Sequence, residues 1–321
     1  MSLPTRFNTL APYLRERFGR PMYRVALDAG STCPNRDGSK GFGGCTYCDV
    51  EGSGTGALKS GADLARQLDE GLRRVARRTT DCGTIAYLQS YSNTYVERAR
   101  LELVLAPIRA KIDTGEVACL AIATRPDTLP DWSLELLGEL AREVPVWVEL
   151  GLESANDAVL ETIRRYHTAA DFERAVERCH AAGLETVGHA ILGLPGDGRA
   201  GARASGELLA RAGCAGVKVH NLMVLKRTQM AKDWQNGDLE VLSADTYVDW
   251  LADFTERLYP DQILHRVTGD APSEERLAPF WTQTAKDGTQ KPLYKNAIRE
   301  RLDAKLAERG TRQGALCQLD S

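Results

Sequence analysis

Three cysteines, Cys33, Cys45 and Cys48, have the residue type and the spacing to bind a metal centre. The last two form a C-x-x-C pair, and Cys33 lies twelve residues before Cys45. A structural zinc ion needs four protein ligands, so a fourth would have to come from Cys82 or from a distant histidine. Three thiolates also suit a [4Fe-4S] cluster that leaves one iron open to a small molecule. The spacing favours the cluster but leaves zinc as an alternative.

The cysteines lie in a glycine-rich stretch from Asp28 to Val50, which contains five glycines and is predicted to be a long loop. The apolar run Val25–Leu27 precedes it and predicts a strand. A helix is predicted to begin near Ser60. The thiols are therefore expected on a loop between a strand and a helix.

Composition indicates a soluble protein of one large or two small domains. The chain has 321 residues, 43% of them hydrophobic, and a net charge of -3, so it has no overall basic field and DNA is not expected as a partner. No apolar run reaches the roughly 18 residues of a membrane span, and the N-terminus lacks a secretory signal. We therefore predict a cytoplasmic location and no membrane partner. The other cysteines are scattered among apolar residues and are expected to be small core residues: Cys82, Cys119, Cys179, Cys214 and Cys317.

The rest of the chain alternates short apolar strands with amphipathic helices, which predicts an α/β fold with a parallel sheet. An open sheet and a partial barrel both fit this order. Four helix starts fit the capping-box pattern or its aspartate variant, at Ser60, Thr94, Ser154 and Thr168. The candidate strands are Tyr23–Asp28, Thr84–Gln89, Val117–Ala123, Val146–Leu150, Thr186–Leu192 and Gly216–Asn221.

The strand pattern fades after Leu225, so we predict a core over residues 1–230 and a mostly helical C-terminal extension over residues 231–321. A helix is expected from Ser243 to Leu258, and the last ~30 residues are expected to be flexible. The end of the chain is rich in basic residues, with acidic residues interleaved. It can be either a solvated helix face or a contact surface for a nucleic acid: Lys286, Lys291, Lys295, Arg299, Arg301, Lys305, Arg309 and Arg312.

Polar residues follow or end each strand after the first. Since the carboxyl ends of parallel strands meet at one edge of the sheet, these side chains are expected to converge on a ligand site. The candidates are Gln89, Ser90, Thr124, Arg125, Glu149, the turn Gly193–Gly196, Lys218 and His220, with Arg165 and His167 as further candidates.

Taken as a whole, the chain resembles the radical S-adenosylmethionine (SAM) superfamily. In particular it resembles the YhcC/YtqA-like group, which is related to the radical SAM domain of the Elongator catalytic subunit. The resemblance covers residues 20–285, and the superfamily's usual spacing of three residues between the first two cysteines is here eleven, as in that group. The matching stretches are STCPNRDGSKGFGGCTYC, YLQSYSNTY, ATRPD, VWVELGLES, GHAILGLPG, GVKVHNLMVLKRTQMAKDW and HRVTGDAPSEERLAPFW.

The resemblance implies a partial (β/α)6 TIM-like barrel whose cluster loop spans residues 29–50. It implies that Cys33, Cys45 and Cys48 ligate a [4Fe-4S] cluster and that SAM is cleaved reductively to a 5'-deoxyadenosyl radical. An electron donor such as flavodoxin or ferredoxin is then expected as a partner.

The resemblance also implies roles for individual residues. Tyr47, Ile191 and Gly193 would lie near the adenine, Gln89 and Ser90 near the methionine amino group, and Thr124 and Arg125 near the carboxylate. Glu149 would bind the ribose, while Lys218 and His220 would act on the substrate or the radical. Arg125 could instead form a buried ion pair with Asp127 or Glu149. His220, Arg165 and His167 could also be structural residues, and His189 is expected to be structural.

The substrate stays open between two classes. Kinship with the Elongator domain and the basic tail favour tRNA, in particular a uridine, and so predict tRNA modification. The near-neutral charge favours a small metabolite or a cofactor precursor. A zinc-stabilised binding module without catalysis is a third, remote alternative.

Overall fold

Seven parallel strands form one curled sheet in the computed structural model, which describes residues 5–49, 63–79, 81–269, 271–285 and 288–318. The order in the sheet is β1-β2-β3-β4-β5-β6-β8, with every pairing parallel. The strands of this sheet are β1 (Met22–Leu27), β2 (Gly83–Leu88), β3 (Cys119–Thr124), β4 (Val146–Glu153), β5 (Glu185–Leu192), β6 (Gly216–Asn221) and β8 (Ile263–Arg266). Two small antiparallel pairs join β7 (Val224–Leu225) to β9 (Arg276–Ala278) and β10 (Thr282–Thr284) to β11 (Gln290–Pro292).

Helices between the strands cover the outer face of the sheet, as right-handed crossovers require. The helices of the described residues are α1 (Leu10–Phe18), α2 (Leu64–Ala76), α3 (Arg98–Asp113), α4 (Asp131–Ala141), α5 (Asp157–Thr162), α6 (Ala169–Ala181), α7 (Gly198–Arg211), α8 (Gln229–Asn236), α9 (Ala244–Arg257) and α10 (Lys295–Glu308). Helix α1 precedes the sheet and packs instead against residues inside the curl, through Leu14. None of the helices in the described ranges is long and apolar enough to span a membrane.

The two faces of the sheet differ in chemistry. The outer face packs aliphatic residues such as Leu88, Leu120 and Val148 against the helices in one continuous core. Inside the curl, buried polar side chains lie beside an apolar cluster that includes Ile85, Trp147 and Val187. Tyr87 and Lys218 are both buried there, although barrel interiors rarely hold such groups. The lumen is therefore built around hydrogen bonds as well as apolar contact.

The predicted partial barrel is confirmed, with a seventh strand that the sequence interpretation missed. The six predicted strands agree with the structure to within a few residues at each end. The seventh, β8, has four residues and two of them are His265 and Arg266, so it lacks the apolar run by which a buried strand is recognised.

The predicted helix caps were right in one case and wrong in two. Thr168 and Asp171 form the full capping box of α6. Helix α3 instead begins after Glu97, and α5 is capped by Asn156, because the Ser154 hydroxyl bonds to Asp197. The predicted start at Ser60 and the basic residue Lys286 lie outside the described residues.

The C-terminal helix α10 packs on α9 through Ile298, Leu302 and Leu306, all of which are buried. Its basic side chains meet acids: Arg301 pairs with Asp245, and Lys305 pairs with both Asp249 and Glu308. After the helix, Gln313 bonds to Gln262, just before β8, and so lies at the amino ends of the strands. Much of the basic charge in this region is therefore neutralised within the chain.

Candidate cofactor site

The three cysteines lie on the loop between β1 and α2, at the carboxyl end of the sheet. The C-x-x-C pair closes as a turn, since the Cys48 amide donates to the Cys45 carbonyl at 3.0 Å. The Thr46 amide donates to the Ile163 carbonyl at 3.1 Å and ties the loop to the end of α5. Gly43 and Gly44 have φ values of 80° and 84°, a region that favours glycine. The glycines thus let the loop fold back over the strand ends.

Side-chain donors surround the thiols. Arg36 donates to the Cys48 sulfur at 3.1 Å, and the Asn35 amide donates to the Cys45 sulfur at 3.4 Å. Burial raises the pKa of the Cys48 thiol to about 11, while the Arg36 charge acts in the opposite direction. A bound metal centre would reverse this balance, because a coordinating thiol is deprotonated. These N–H groups are suited to hydrogen-bond the sulfurs of a cluster.

A cavity of about 300 Å³ joins the cysteine loop to the strand ends. Its wall includes most of the residues predicted for cofactor and substrate binding: the three cysteines, Tyr47, Gln89, Thr124, Arg125, Glu149, Ile191 and His220. Cys82 precedes β2 at the other end of the sheet, where its thiol contacts the Thr79 carbonyl, so it does not provide a fourth ligand here. In the part of the chain that is described, no three Cys, His, Asp or Glu side chains form a single-ion site.

Glu149 is the centre of a buried network below this cavity. Its Oε2 accepts hydrogen bonds from Tyr87 Oη at 2.6 Å, from His189 Nε2 at 3.1 Å and from Lys218 Nζ. Burial alone would raise the pKa of Glu149, but Lys218 and His189 more than offset it and hold that pKa well below its usual range. Oε1 is buried and, among the described residues, has no hydrogen-bond partner. An ionised carboxylate therefore has one oxygen left to accept a ligand hydroxyl.

Lys218 lies deeper than the sequence interpretation placed it. Its ammonium bonds to Glu149 and Tyr87 beneath the cavity wall, with 1% of the side chain exposed. Burial lowers the pKa of Lys218 to about 7, whereas the Glu149 carboxylate favours the charged form. The geometry gives Lys218 the task of orienting Glu149.

Arg125 forms the buried ion pair with Asp127 that was considered as an alternative to ligand binding, and one of its N–H donor atoms remains unused among the described residues. Its Nε and Nη2 each contact Asp127 at 2.8 Å, and Nη2 also donates to the Arg165 carbonyl at 2.7 Å. Nη1 is buried and lacks a partner within the described ranges. Asp127 thus fixes the guanidinium in place at the cavity wall. The neighbouring Thr124 hydroxyl contacts Thr94 at 2.5 Å.

Two further predicted residues lie behind the wall. Ser90 is buried next to Gln89, and its hydroxyl has no partner in the described part of the chain. Gly193 has a φ of 96° and packs against Leu242 and Leu222, so it shapes the turn after β5. The roles assigned to both stay predictions.

Several residues line the cavity without an individual role in the sequence interpretation, which counted Glu153 only among the polar residues at the strand ends. Glu153 ends β4 beside an irregular register and has a φ of 70°, which directs its carboxylate to Arg165 at 3.1 Å. His189, expected to be structural, lines the cavity and also bonds to Glu149. Asn221 and Arg266 line the wall near the end of the sheet opposite β1. Arg266 was within reach of sequence reasoning, since it lies in the matching stretch HRVTGDAPSEERLAPFW.

Comparisons with known proteins agree with this geometry. The family profile described as the radical SAM superfamily matches residues 32–209, more than half of the chain, and the profile of the radical SAM C-terminal domain matches residues 214–292. The chain therefore belongs to the radical SAM superfamily, and it is a radical SAM enzyme. The zinc-stabilised, non-catalytic alternative is not supported.

Individual proteins that are similar to this chain come from the same superfamily group that the sequence resembles. The uncharacterized protein YtqA of Bacillus subtilis is 35% identical over 313 residues, which are 98% of this chain and 93% of the relative. YhcC of Escherichia coli is 32% identical over 88% of this chain and 90% of its own. The fold is similar to that of archaeal Methanocaldococcus infernus Elp3, with a TM-score of 0.70 and 15% identity. That match covers 91% of this chain and 64% of the Elp3 chain.

Membership of the superfamily implies a [4Fe-4S] cluster and SAM, and the residues present fit both. Three thiols with N–H donors around them face one cavity, as cluster ligation needs. Glu149 Oε1 and Arg125 Nη1 are an unused acceptor and an unused donor among the described residues, and SAM carries hydroxyl groups and a carboxylate to meet them. When bound, the two cofactors supply one-electron chemistry that abstracts hydrogen from a C–H bond. The chain positions the cofactors and shields them from water.

Proposed function

We propose that this radical SAM enzyme modifies tRNA and that its target is the wobble uridine. The observation that carries the proposal is a group of exposed aromatic and basic side chains beside the cysteine loop, which we call the aromatic rim: Lys40, Phe42, Arg164 and Tyr166. Phe42 is 80% exposed and Tyr166 is 42% exposed.

The rim is held close to the cavity. A Cβ on Gly41 would lie 2.7 Å from the Tyr166 ring, so this glycine lets the loop pack against that ring. Lys40 Nζ donates to the Tyr166 carbonyl at 3.2 Å and to Asp127 at 2.6 Å. Through Asp127 it is linked to Arg125, which lines the cavity. Aromatic faces stack on unpaired bases, and nearby cations attract the phosphate backbone.

The fold similarity to archaeal Elp3 supports the same proposal, since it agrees with the resemblance to the Elongator radical SAM domain. The basic C-terminal region contributes less than expected. Arg309 is directed to Asp253 and Glu256 rather than to solvent. The proposal therefore depends on the rim and not on the tail.

The test is mass spectrometry of nucleosides from tRNA of a strain that lacks this protein. We expect one modified uridine to disappear and to return with the wild-type chain and with the control variant C82A. C48A and the double variant F42A/Y166A should fail to restore it. An unchanged nucleoside profile in the deletion strain would contradict the proposal.

A small metabolite is the second candidate substrate. The net charge of -3 favours it, because such a chain has no general attraction for nucleic acid. Tight binding of bulk tRNA to the SAM-loaded protein, with a steep salt dependence, would count against it.

A further inference from the structure

One wall of the cavity is formed by the last two strands of the sheet, β6 and β8, and by the segments that follow them. We call it the far wall and define it by His220, Asn221, Met223 and Arg266. It lies at the edge of the sheet opposite β1, the strand that leads to the cysteines. Arg125 is on β3's side, four strands away in the sheet order, so the two arginines belong to different parts of the cavity.

The arginines that line the cavity differ in their partners. Arg36 contacts Cys48, Arg125 contacts Asp127, and Arg165 contacts Glu153. Within the described ranges, the half-buried side chain of Arg266 makes no hydrogen bond and no ion pair, while its backbone belongs to β8. A cation in a partly desolvated cavity is costly unless an anion pairs with it. The far wall therefore has room for one negative charge that the described chain does not supply.

His220 supplies a second unused group on the same wall. Its Nε2 is shielded from solvent and, among the described residues, has no hydrogen-bond partner. Its ring stacks on His189 with centroids 5.7 Å apart. Burial and the nearby Arg266 charge hold the pKa of His220 well below its usual range, so the imidazole is neutral and can donate one N–H.

The backbone around His220 is fixed. The Asn221 Oδ1 accepts from the Thr268 hydroxyl at 2.9 Å and from the Gly269 amide at 3.1 Å. A Cβ on Gly269 would lie 2.7 Å from Met223 Cε and 3.3 Å from His220 Nδ1, so the glycine allows close packing of this segment against both side chains. The segment after β8 is thus held against His220.

We infer that Arg266 and His220 bind an oxyanion of the substrate, either a phosphate or a carboxylate. An arginine fork is complementary to both groups, and a neutral imidazole can add one hydrogen bond. The inference rests on this cavity being the radical SAM site, and it applies to either proposed class of substrate. For a nucleotide substrate the oxyanion is its phosphate, and for a small metabolite it is a carboxylate or a phosphate ester.

The experiment is calorimetric titration of the anaerobically reconstituted, SAM-loaded full chain with two matched pairs of probes. Uridine monophosphate is compared with uridine, and succinate with succinamide. The variants are R266Q, H220Q and the control R98Q, whose exposed arginine pairs with Glu102 on α3. We expect at least one anionic probe to bind the wild type and R98Q, and to bind R266Q about tenfold more weakly or worse. Its neutral counterpart should bind all variants alike, and SAM affinity should not change.

Each result of the titration either supports or overturns the proposed oxyanion site. If only the affinity for uridine monophosphate depends on Arg266, the far wall is a phosphate site. If only the affinity for succinate depends on Arg266, it is a carboxylate site. The second result keeps the oxyanion site while counting against an RNA substrate, which the tRNA nucleoside profile tests separately. Equal binding to wild type and R266Q, or no binding of either anion to the wild type, overturns the inference. An R266Q protein that loses SAM affinity to the same degree also overturns it, because Arg266 would then belong to the SAM site.

Discussion

Glu149 and Asp253 are both buried carboxylates paired with cations, yet the two clusters differ in how many of the carboxylate oxygens have a partner. Asp253 on α9 accepts from Arg199 and Arg203 of α7 and from Arg309 after α10, so both of its oxygens are used. Glu149 uses only Oε2, while Oε1 stays without a partner among the described residues. The Asp253 cluster joins three helices, and the Glu149 cluster borders a cavity.

The difference separates structure from function. In the Asp253 cluster both carboxylate oxygens already accept hydrogen bonds, so neither is available to a ligand. This cluster therefore holds the helices together. A buried polar atom without a partner costs free energy, and native proteins keep few of them. Glu149 Oε1, Arg125 Nη1 and His220 Nε2 are atoms of this kind on the cavity wall, and none of them has a partner among the described residues. They are the atoms that bound cofactors and substrate are expected to satisfy.

The substitution K218M should have the largest effect on folding. It leaves the Glu149 carboxylate buried without its cation, which costs about 3–5 kcal/mol in comparable sites. Urea denaturation of the metal-free protein measures this loss. The double variant K218M/E149L should be more stable than K218M, because it removes the stranded charge, and R66A, on an exposed pair, should unfold like the wild type. If K218M is as stable as the wild type, Lys218 does not stabilise the buried Glu149 carboxylate as described.

D253N should cost less, about 1–3 kcal/mol, because Arg199 and Arg203 are 44% exposed and water can solvate them. The comparison predicts that this loss appears in denaturation only. SAM affinity of the folded variant, measured by calorimetry, should equal that of the wild type. If folded D253N fails to bind SAM, the division into a structural and a ligand-binding cluster is wrong.

D127N should change how stability depends on pH. Burial would raise the pKa of Asp127, but Arg125 and Lys40 more than offset it and lower the pKa from 3.8 to about 2. Because the folded value is the lower one, this carboxylate stabilises the fold above about pH 4 and loses its effect as the pH falls towards 2. The shift corresponds to about 2 kcal/mol. The gap in unfolding free energy between wild type and D127N should therefore shrink from pH 7 to about pH 2.5, and a constant gap would argue against the ion pair.

The sequence predicted the elements better than the depth of the side chains. Strand and cap signals are local, so the alternation of strands and helices and the cap at Thr168 could be read directly, whereas the partial barrel was implied by the family resemblance. In β6, Lys218 and His220 alternate with valines and both point into the lumen. Only the curl of the sheet decides that His220 reaches the cavity while Lys218 ends beneath it. The same applies to Arg266, because its strand is too short and too polar to be recognised alone.

The most direct test of the central claim is anaerobic reconstitution of the cysteine site, with C48A and C82A as a matched pair. We expect wild type and C82A to bind about four irons per chain and to release 5'-deoxyadenosine from SAM upon reduction. C48A should lose cluster-dependent SAM cleavage. A wild-type protein that stays colourless and binds one zinc ion, or a C82A variant that loses the cluster while C48A keeps it, would contradict the account.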